Sequence, residues 1–310
     1  MWKGKVYQLY QKTFIVGQED HGMILRAFIQ KRKISKKALT DIKFHGGKIL
    51  VNGVEHTVRT YLQTSDQVTV IFPKETRSEE MPPKEMDLQI IYEDDDLLIL
   101  DKPSGLPTIP SILHPEDSLA NGVLFYYDSL GLAYTFHAIN RLDKDTSGLM
   151  LIAKHRYVHH LFSMLQRKHQ IHRSYVAIVH GEINLQKGVV NAPIGRTNHS
   201  LIMREVRADG QNAVTHYEVL DRRNGYSIVK VQPQTGRTHQ IRVHMAYIGH
   251  PLVGDDLYGG RREHMTRHAL HSNCVAFFHP LLEREIVKTC DYPLDFKKFI
   301  AKHIQKREAD

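Results

Sequence analysis

Residues 140–148 read Asn-Arg-Leu-Asp-Lys-Asp-Thr-Ser-Gly and run without a break into the apolar stretch Leu149–Ala153. The apolar stretch has the length of a strand. A strand does not need so polar a preamble of one arginine, two carboxylates, two hydroxyls and a glycine. A site that must hold one ionised carboxylate beside a ligand does. The fold must therefore present this loop next to that strand, and the chemistry is expected there.

At 310 residues the chain is long for a single core, so one large domain and one small one are expected. The small unit is read as residues 1–72. Residues 23–30 have helical apolar spacing, and Ser35 caps a second helix. Lys48–Val54 then reads as a hairpin turning at Asn52-Gly53, and Gln67–Phe72 as a closing strand. Residues 73–86, charged and carrying Pro82-Pro83, read as a linker. From residue 87 to 310, strand-like runs (88–92, 97–100, 149–153, 175–180, 214–220, 226–231, 285–289) alternate with helical stretches (118–127, 155–168, 238–248, 293–304). The fold class expected is α+β, with a mostly antiparallel mixed central sheet.

No apolar run approaches the roughly 20 residues that span a bilayer, and the start Met1-Trp2-Lys3-Gly4-Lys5 leads into polar sequence, so a signal peptide is not expected. The two cysteines, Cys274 and Cys290, lack paired metal spacing, so a reducing, cytoplasmic setting without membrane attachment is expected. The formal net charge of +8, a pI near 9.3 and 21 histidines favour a polyanionic partner. Five of the seven residues 31–37 are basic, and they lead into a helix N-terminus, where positive charge opposes the macrodipole. Charge placed there at a cost suggests an anion, with Lys36 and Lys37 as the candidates to meet it. Two short helices, Gly-Lys-Ile-Leu-Val-Asn-Gly and a last strand over about 20–72 resemble the S4 RNA-binding domain, although Ser65-Asp66 stands where that family usually has Gly-Asp.

Two more stations carry polar residues in dense order. Asp101-Lys102-Pro103-Ser104-Gly105 alone reads as an ordinary turn. In Gln234–His244, a helix from Thr238 would put His239, Arg242 and Val243 on one face. Arg237, His239, Gln240 and Arg242 then form a donor cluster without a local acid, suited to carboxylate or phosphate. A metal is not expected, because His239 and His244 lie off a single face and no Cys or Glu completes a set. Thr146 and Ser147 are weak nucleophile candidates, since no Gly-x-Ser-x-Gly elbow frames them.

Three motifs occur in one order: Arg141-Leu142-Asp143-x-x-Thr146-Ser147-Gly148-Leu149, then Gly236–His244, then Gly249-His250-Pro251-Leu252-x-Gly254-Asp255. With this order the chain, over about 88–300, resembles the RluA/RluD family of RNA pseudouridine synthases, in which an N-terminal S4 domain is common. The resemblance implies the pseudouridine-synthase fold and the isomerisation of uridine to pseudouridine in RNA, with no cofactor and no metal. It implies that Asp143 is the catalytic aspartate, acting at the ribose as a nucleophile at C1′ or as a base at C2′. It further implies that Arg242 pairs with that carboxylate, Tyr175 packs on the uracil, Ile241 lies beside the base, and Arg141 helps displace the target base. Arg237, His239 and Gln240 are expected on the RNA side. Position 140 is Asn where the family more often has His.

Either route needs an ionised carboxylate in a partly dry pocket, which a nearby arginine favours. The target base must leave its stack to be reached. Structured RNA, above all large-subunit ribosomal RNA, is the expected partner of a monomer. Transfer RNA as substrate, or a non-catalytic ribosome-assembly factor, are the alternatives.

Overall fold

The computed structural model describes residues 8–110 and 115–304. The chain divides into two compact units, each assembled from separate stretches. The first comprises residues 1–87, 109–137 and 153–161, and the second residues 88–108, 138–152 and 162–310.

The first unit opens with β1 (Gln11–Ile15), α1 (Leu25–Lys31), α2 (Lys36–Phe44), β2 (Lys48–Val51), β3 (Val54–Glu55) and β4 (Gln67–Ile71). The strands form an antiparallel sheet in the order β1-β4-β2-β3. Ile49 and Val51 of β2 and Val68 and Val70 of β4 are buried, at the two-residue period that puts them on one face. Leu25, Phe28 and Ile29 of α1 and Leu39 and Ile42 of α2 are buried too, at helical spacing. Ser35 caps α2 as expected, its Oγ accepting from Ala38 N at 3.1 Å. Asn52 and Gly53 both take positive φ, 52° and 82°, in the β2–β3 turn. β1 was not legible, because it alternates between exposed and half-buried residues and shows no clean apolar period.

The expected linker is anchored rather than free. Glu75 is buried, with one carboxylate oxygen 2.7 Å from His137 Nε2 and the other 3.2 Å from Arg156 Nε. Arg77 donates to Asp128 Oδ1 (2.7 Å) and to the carbonyls of Tyr134 (2.7 Å) and Leu132 (3.2 Å). The first unit therefore extends past residue 72 and takes in α3 (Leu119–Ser129) and the start of α4 (Arg156–Arg167). Burial of these polar side chains decides this, and composition does not reveal it.

The second unit is built on β5 (Ile90–Glu93), β6 (Leu97–Lys102), β7 (His137–Ala138), β8 (Ser147–Ala153), β9 (Ile171–His180), β10 (Lys187–Asn191), β13 (Val214–Arg223), β14 (Tyr226–Pro233), β15 (Leu270–His279) and β16 (Arg284–Thr289). A small hairpin of β11 (Ile194–Arg196) and β12 (Arg204–Val206), with α5 (Gln240–Tyr247) and α6 (Leu294–His303), completes it. The large sheet runs β10-β13-β14-β9-β15-β8-β6-β5, with β16 also on β15. The registers of β13, β14, β9, β15 and β16 are antiparallel, and β8 pairs in parallel with β15. This is the mostly antiparallel mixed sheet expected.

β15 was missed, because its buried His271 and Ser272 interrupt an otherwise apolar strand. It is nonetheless the strand that assembles the site. His271 and Ser272 pair with Ser147 and Gly148 of β8, while Ser272 pairs on its other side with Tyr175 of β9. Gly148 has φ 109°, and a Cβ there would drive into the Ser272 backbone, so only glycine lets the two strands meet.

Candidate active site

Asp143 lies in the turn that enters β8, closed by Thr146 N donating to Asp143 O at 3.1 Å. Several buried groups hold this turn. Lys102 Nζ donates to the carbonyls of Pro103 (2.8 Å), Leu106 (2.8 Å) and Lys144 (2.9 Å). Burial pushes the Lys102 ammonium down to about 7, against the opposing pull of Asp145 and Asp143. Thr146 Oγ1 is 2.7 Å from His268 Nε2, and Ser147 Oγ is 2.9 Å from His271 Nδ1. Arg267 donates to Asp145 O (3.0 Å) and Ser147 Oγ (3.2 Å) while gripping Asp295 at 2.7 and 3.1 Å. Both hydroxyls are thus buried braces of the loop, which removes them as nucleophile candidates.

Two carboxylates share one guanidinium. Arg242 Nε and Nη2 donate to the two oxygens of Asp255 at 2.7 Å each, and Nη1 reaches Asp143 Oδ2 at 3.3 Å. The Asp255 side chain is 0% exposed and that of Asp143 is 29% exposed. Asp255 is therefore the fixed partner that aims the guanidinium, and Asp143 is the carboxylate open to a ligand. Burial opposes the charge on Arg242, but the Asp255 hydrogen bonds and then the Asp143 charge outweigh it, so its pKa is raised. His239 Nε2 lies 3.8 Å from the same Asp143 Oδ2, and among the described residues no hydrogen bond or ion pair reaches Oδ1. Two of the four donors in residues 237–242, His239 and Arg242, thus meet carboxylates supplied by other parts of the chain.

α5 begins at Gln240, two residues later than expected, and His239 is its N-cap, in the left-handed region at φ 57°. His239 and Arg242 therefore do not share a helical face, and they converge on Asp143 because the backbone turns at His239. Ile241 is buried in α5. Gln240 departs from the RNA-facing expectation, since it is buried. Its Oε1 accepts from Thr235 Oγ1 (2.7 Å) and Arg237 N (3.0 Å), and its Nε2 donates to Val214 O (2.9 Å) and Thr215 Oγ1 (3.0 Å). The amide oxygen is spent on the loop before α5 and the amide nitrogen on the start of β13. Arg237 is exposed, donating to Asn212 O (3.1 Å) and Gln211 Oε1 (2.9 Å), and Arg141 is exposed beside the Asp143 turn.

Tyr175 is buried on β9, and burial raises its hydroxyl pKa against the opposing effect of Arg173 and a hydrogen bond with Ser272. Asn140 is buried, with Oδ1 accepting from Leu151 N at 2.8 Å, so its role is to join the loop to β8. In the first unit, Lys31 and Arg32 pair with buried Asp20 at 2.5 and 3.3 Å, whereas Lys36 and Lys37 stand exposed at the start of α2.

Sequence reasoning missed Asp255, Tyr258, Lys102, Arg267 and His268 as parts of this site. Asp255 closes the third motif and Lys102 sits in the turn at 101–105, so each had a signal. Arg267 and His268 had none. Among the described residues, Asp101, His271 and Cys290, and separately Asp94, Asp96 and His279, bring potential metal ligands within 4.8 Å of one another. Neither group includes Asp143. The Cys290 thiol, pushed up to about 12 by burial, is a poor ligand while protonated.

The geometry meets known proteins at this point. A family model described as RNA pseudouridylate synthase matches residues 96–247. An RNA pseudouridine synthase of Bacillus subtilis, YjbO, is 44% identical over 278 residues, covering 90% of this chain and 98% of its own. The ribosomal large subunit pseudouridine synthase D of Xanthomonas campestris is 33% identical over 269 residues, covering 82% and 81%. The solved structure of human RNA pseudouridylate synthase domain containing 4 covers 69% of this chain and 92% of its own, with TM-score 0.57 and 24% identity, a likeness of fold. With relatives matched across nearly their whole length, this chain belongs to the RluA/RluD family of RNA pseudouridine synthases, and it is an enzyme that isomerises uridine in RNA.

Proposed function

We propose that this enzyme modifies specific uridines of large-subunit ribosomal RNA, with Asp143 as its catalytic carboxylate. One observation carries the assignment. Asp143 offers one oxygen to Arg242 and His239 and, among the described residues, keeps the other open, while Asp255 spends both oxygens on fixing Arg242. In this reading Oδ1 acts on the ribose, as nucleophile at C1′ or as base at C2′, while the N1–C1′ bond breaks. The uracil turns in place and C5 bonds to C1′, which breaks the Oδ1–C1′ ester bond on the nucleophilic route or returns the abstracted proton to C2′ on the base route; the C5 proton is then lost and N1 gains one. Atoms balance without a co-reactant.

Tyr175 would floor the detached base and Arg141 would fill the gap it leaves, offsetting lost stacking. The name of the Xanthomonas relative, ribosomal large subunit pseudouridine synthase D, supports a ribosomal substrate. The first unit, with its two helices, its hairpin and the exposed Lys36 and Lys37, supports an S4-like RNA-binding role.

The test is carbodiimide-dependent primer extension across ribosomal RNA from cells lacking the protein, complemented with wild type or Asp143→Asn. Stops lost in the deletion should return with wild type only, and Asp143→Asn should still bind RNA within about threefold, because charge-neutral isosteres leave contacts in place. Stops restored by Asp143→Asn would remove the residue from catalysis. An unchanged ribosomal pattern would move the substrate to transfer RNA.

A further inference from the structure

His239 stands in a left-handed conformation at the entry to α5. A non-glycine side chain held at φ 57° costs on the order of 1 kcal/mol and persists where the surroundings fix it. Its imidazole spans two partners, with Nε2 3.8 Å from Asp143 Oδ2 and Nδ1 2.8 Å from Tyr258 Oη. The 3.8 Å contact is too long to hold the ring by itself. The Tyr258 contact is the one that sets its rotation.

Tyr258 is itself held on three sides. Its Oη accepts from Arg204 N of β12 at 3.0 Å, and its N donates to Asp255 O at 3.1 Å. Its ring packs against the small cluster of Ile194, Ala213 and Val243, and the Arg242 guanidinium lies 5.0 Å over its centroid. Hydrogen-bond bookkeeping then orients the proton. Asp143 Oδ2, an acceptor only, faces Nε2, so the neutral ring carries its hydrogen there and leaves Nδ1 to accept from the phenol, whose oxygen in turn accepts from Arg204 N. One side chain thus touches both groups that meet Asp143 Oδ2, and it is tied to the backbone of the β11–β12 hairpin.

We propose that Tyr258 is a positioning residue that acts through His239, fixing its rotation and tautomer so that Nε2–H and Arg242 together hold Asp143 Oδ2 and turn Oδ1 to the ribose. This rests on the reading of Asp143 as the catalytic carboxylate. Nothing in the arrangement requires Tyr258 to touch RNA, so its loss should appear in the rate and not in the affinity.

The experiment is single-turnover tritium release from total cellular RNA labelled with [5-³H]uridine, taken from cells lacking the enzyme, since the C5 hydrogen leaves in the isomerisation. RNA affinity is measured beside it by filter binding. Tyr258→Phe keeps the ring and deletes the hydroxyl. It should lower the rate constant about tenfold or more, the scale of a slightly misplaced reacting group, with affinity unchanged. His239→Ala should cost a similar factor, and adding Tyr258→Phe to it should cost less than about twofold more, because both changes break one contact. Asp143→Ala, which must be inactive, is the baseline. A wild-type rate in Tyr258→Phe, or a full multiplication of the two factors, overturns the relay while an inactive Asp143→Ala leaves the catalytic reading standing. Activity surviving in Asp143→Ala overturns that reading and the relay with it. A thermal midpoint for Tyr258→Phe near that of wild type shows that the rate loss is not unfolding.

Discussion

At the scale of single residues the site is an exercise in dividing labour between like side chains. Two aspartates face one arginine, and exposure alone decides which is structural. Replacing Asp255 by alanine strands a buried guanidinium whose remaining acid, Asp143, reaches it at a single point 3.3 Å away. Removing one partner of a buried pair costs about 3 kcal/mol or more, so Asp255→Ala should lower the urea midpoint markedly and depress isomerisation as well. An unchanged midpoint would mean that Asp143 or water takes over the guanidinium. Asp143→Asn separates from this cleanly, because its partly exposed carboxylate is not needed to satisfy a buried charge that Asp255 already pairs. It should abolish turnover with little change in stability.

Individual elements carry the RNA-binding argument. Of the basic run before α2, Lys31 and Arg32 are committed to Asp20, and Lys36 and Lys37 remain exposed in the first turn of the helix. If both touch phosphate, reversing them to glutamate should weaken binding and reduce the slope of log affinity against log salt by roughly 2. A titration in potassium chloride reads this directly, and an unaltered slope would make the two lysines a solvated face. The motifs at 141–149 and 236–244 were legible because their side chains are polar in places where packing does not ask for polarity. The helices of both units were legible within a few residues because their burial follows a helical period. β1 and β15 were not. One is half-exposed throughout, and the other is buried with histidine and serine inside it, so neither shows the apolar alternation that marks a strand.

Over the whole molecule, buried neutral histidines set the response to acid. Burial pushes His155 and His271 down to about 4 and His268 to about 2. Each folded-state value lies below the unfolded value, so the unfolded chain binds protons first. Stability should therefore be intact above about pH 6.5 and fall as pH drops toward 4, with each histidine costing on the order of 2 kcal/mol by pH 5. Urea denaturation at pH 7.5 and pH 5 tests the direction. Equal midpoints would mean that the three rings are protonated in the folded state. His155 belongs to the first unit and the other two to the second, so single His→Gln variants should each remove part of the slope.

The sequence by itself determined the family and the α+β class and singled out Asp143 and Arg242 as candidates, because these rest on local order, on which residues follow which along the chain. It could not determine which groups serve Asp143 from a distance. Asp255 fixes Arg242, Lys102 and Arg267 brace the turn, and Tyr258 orients His239, across sequence separations that no local pattern records. Nor could it show that Gln240 turns inward, or that residues 73–86 are anchored by Glu75 and Arg77. A polar side chain looks the same in sequence whether it meets water, RNA or a buried carbonyl. Only the tertiary structure supplies its partner, and the partner decides the role.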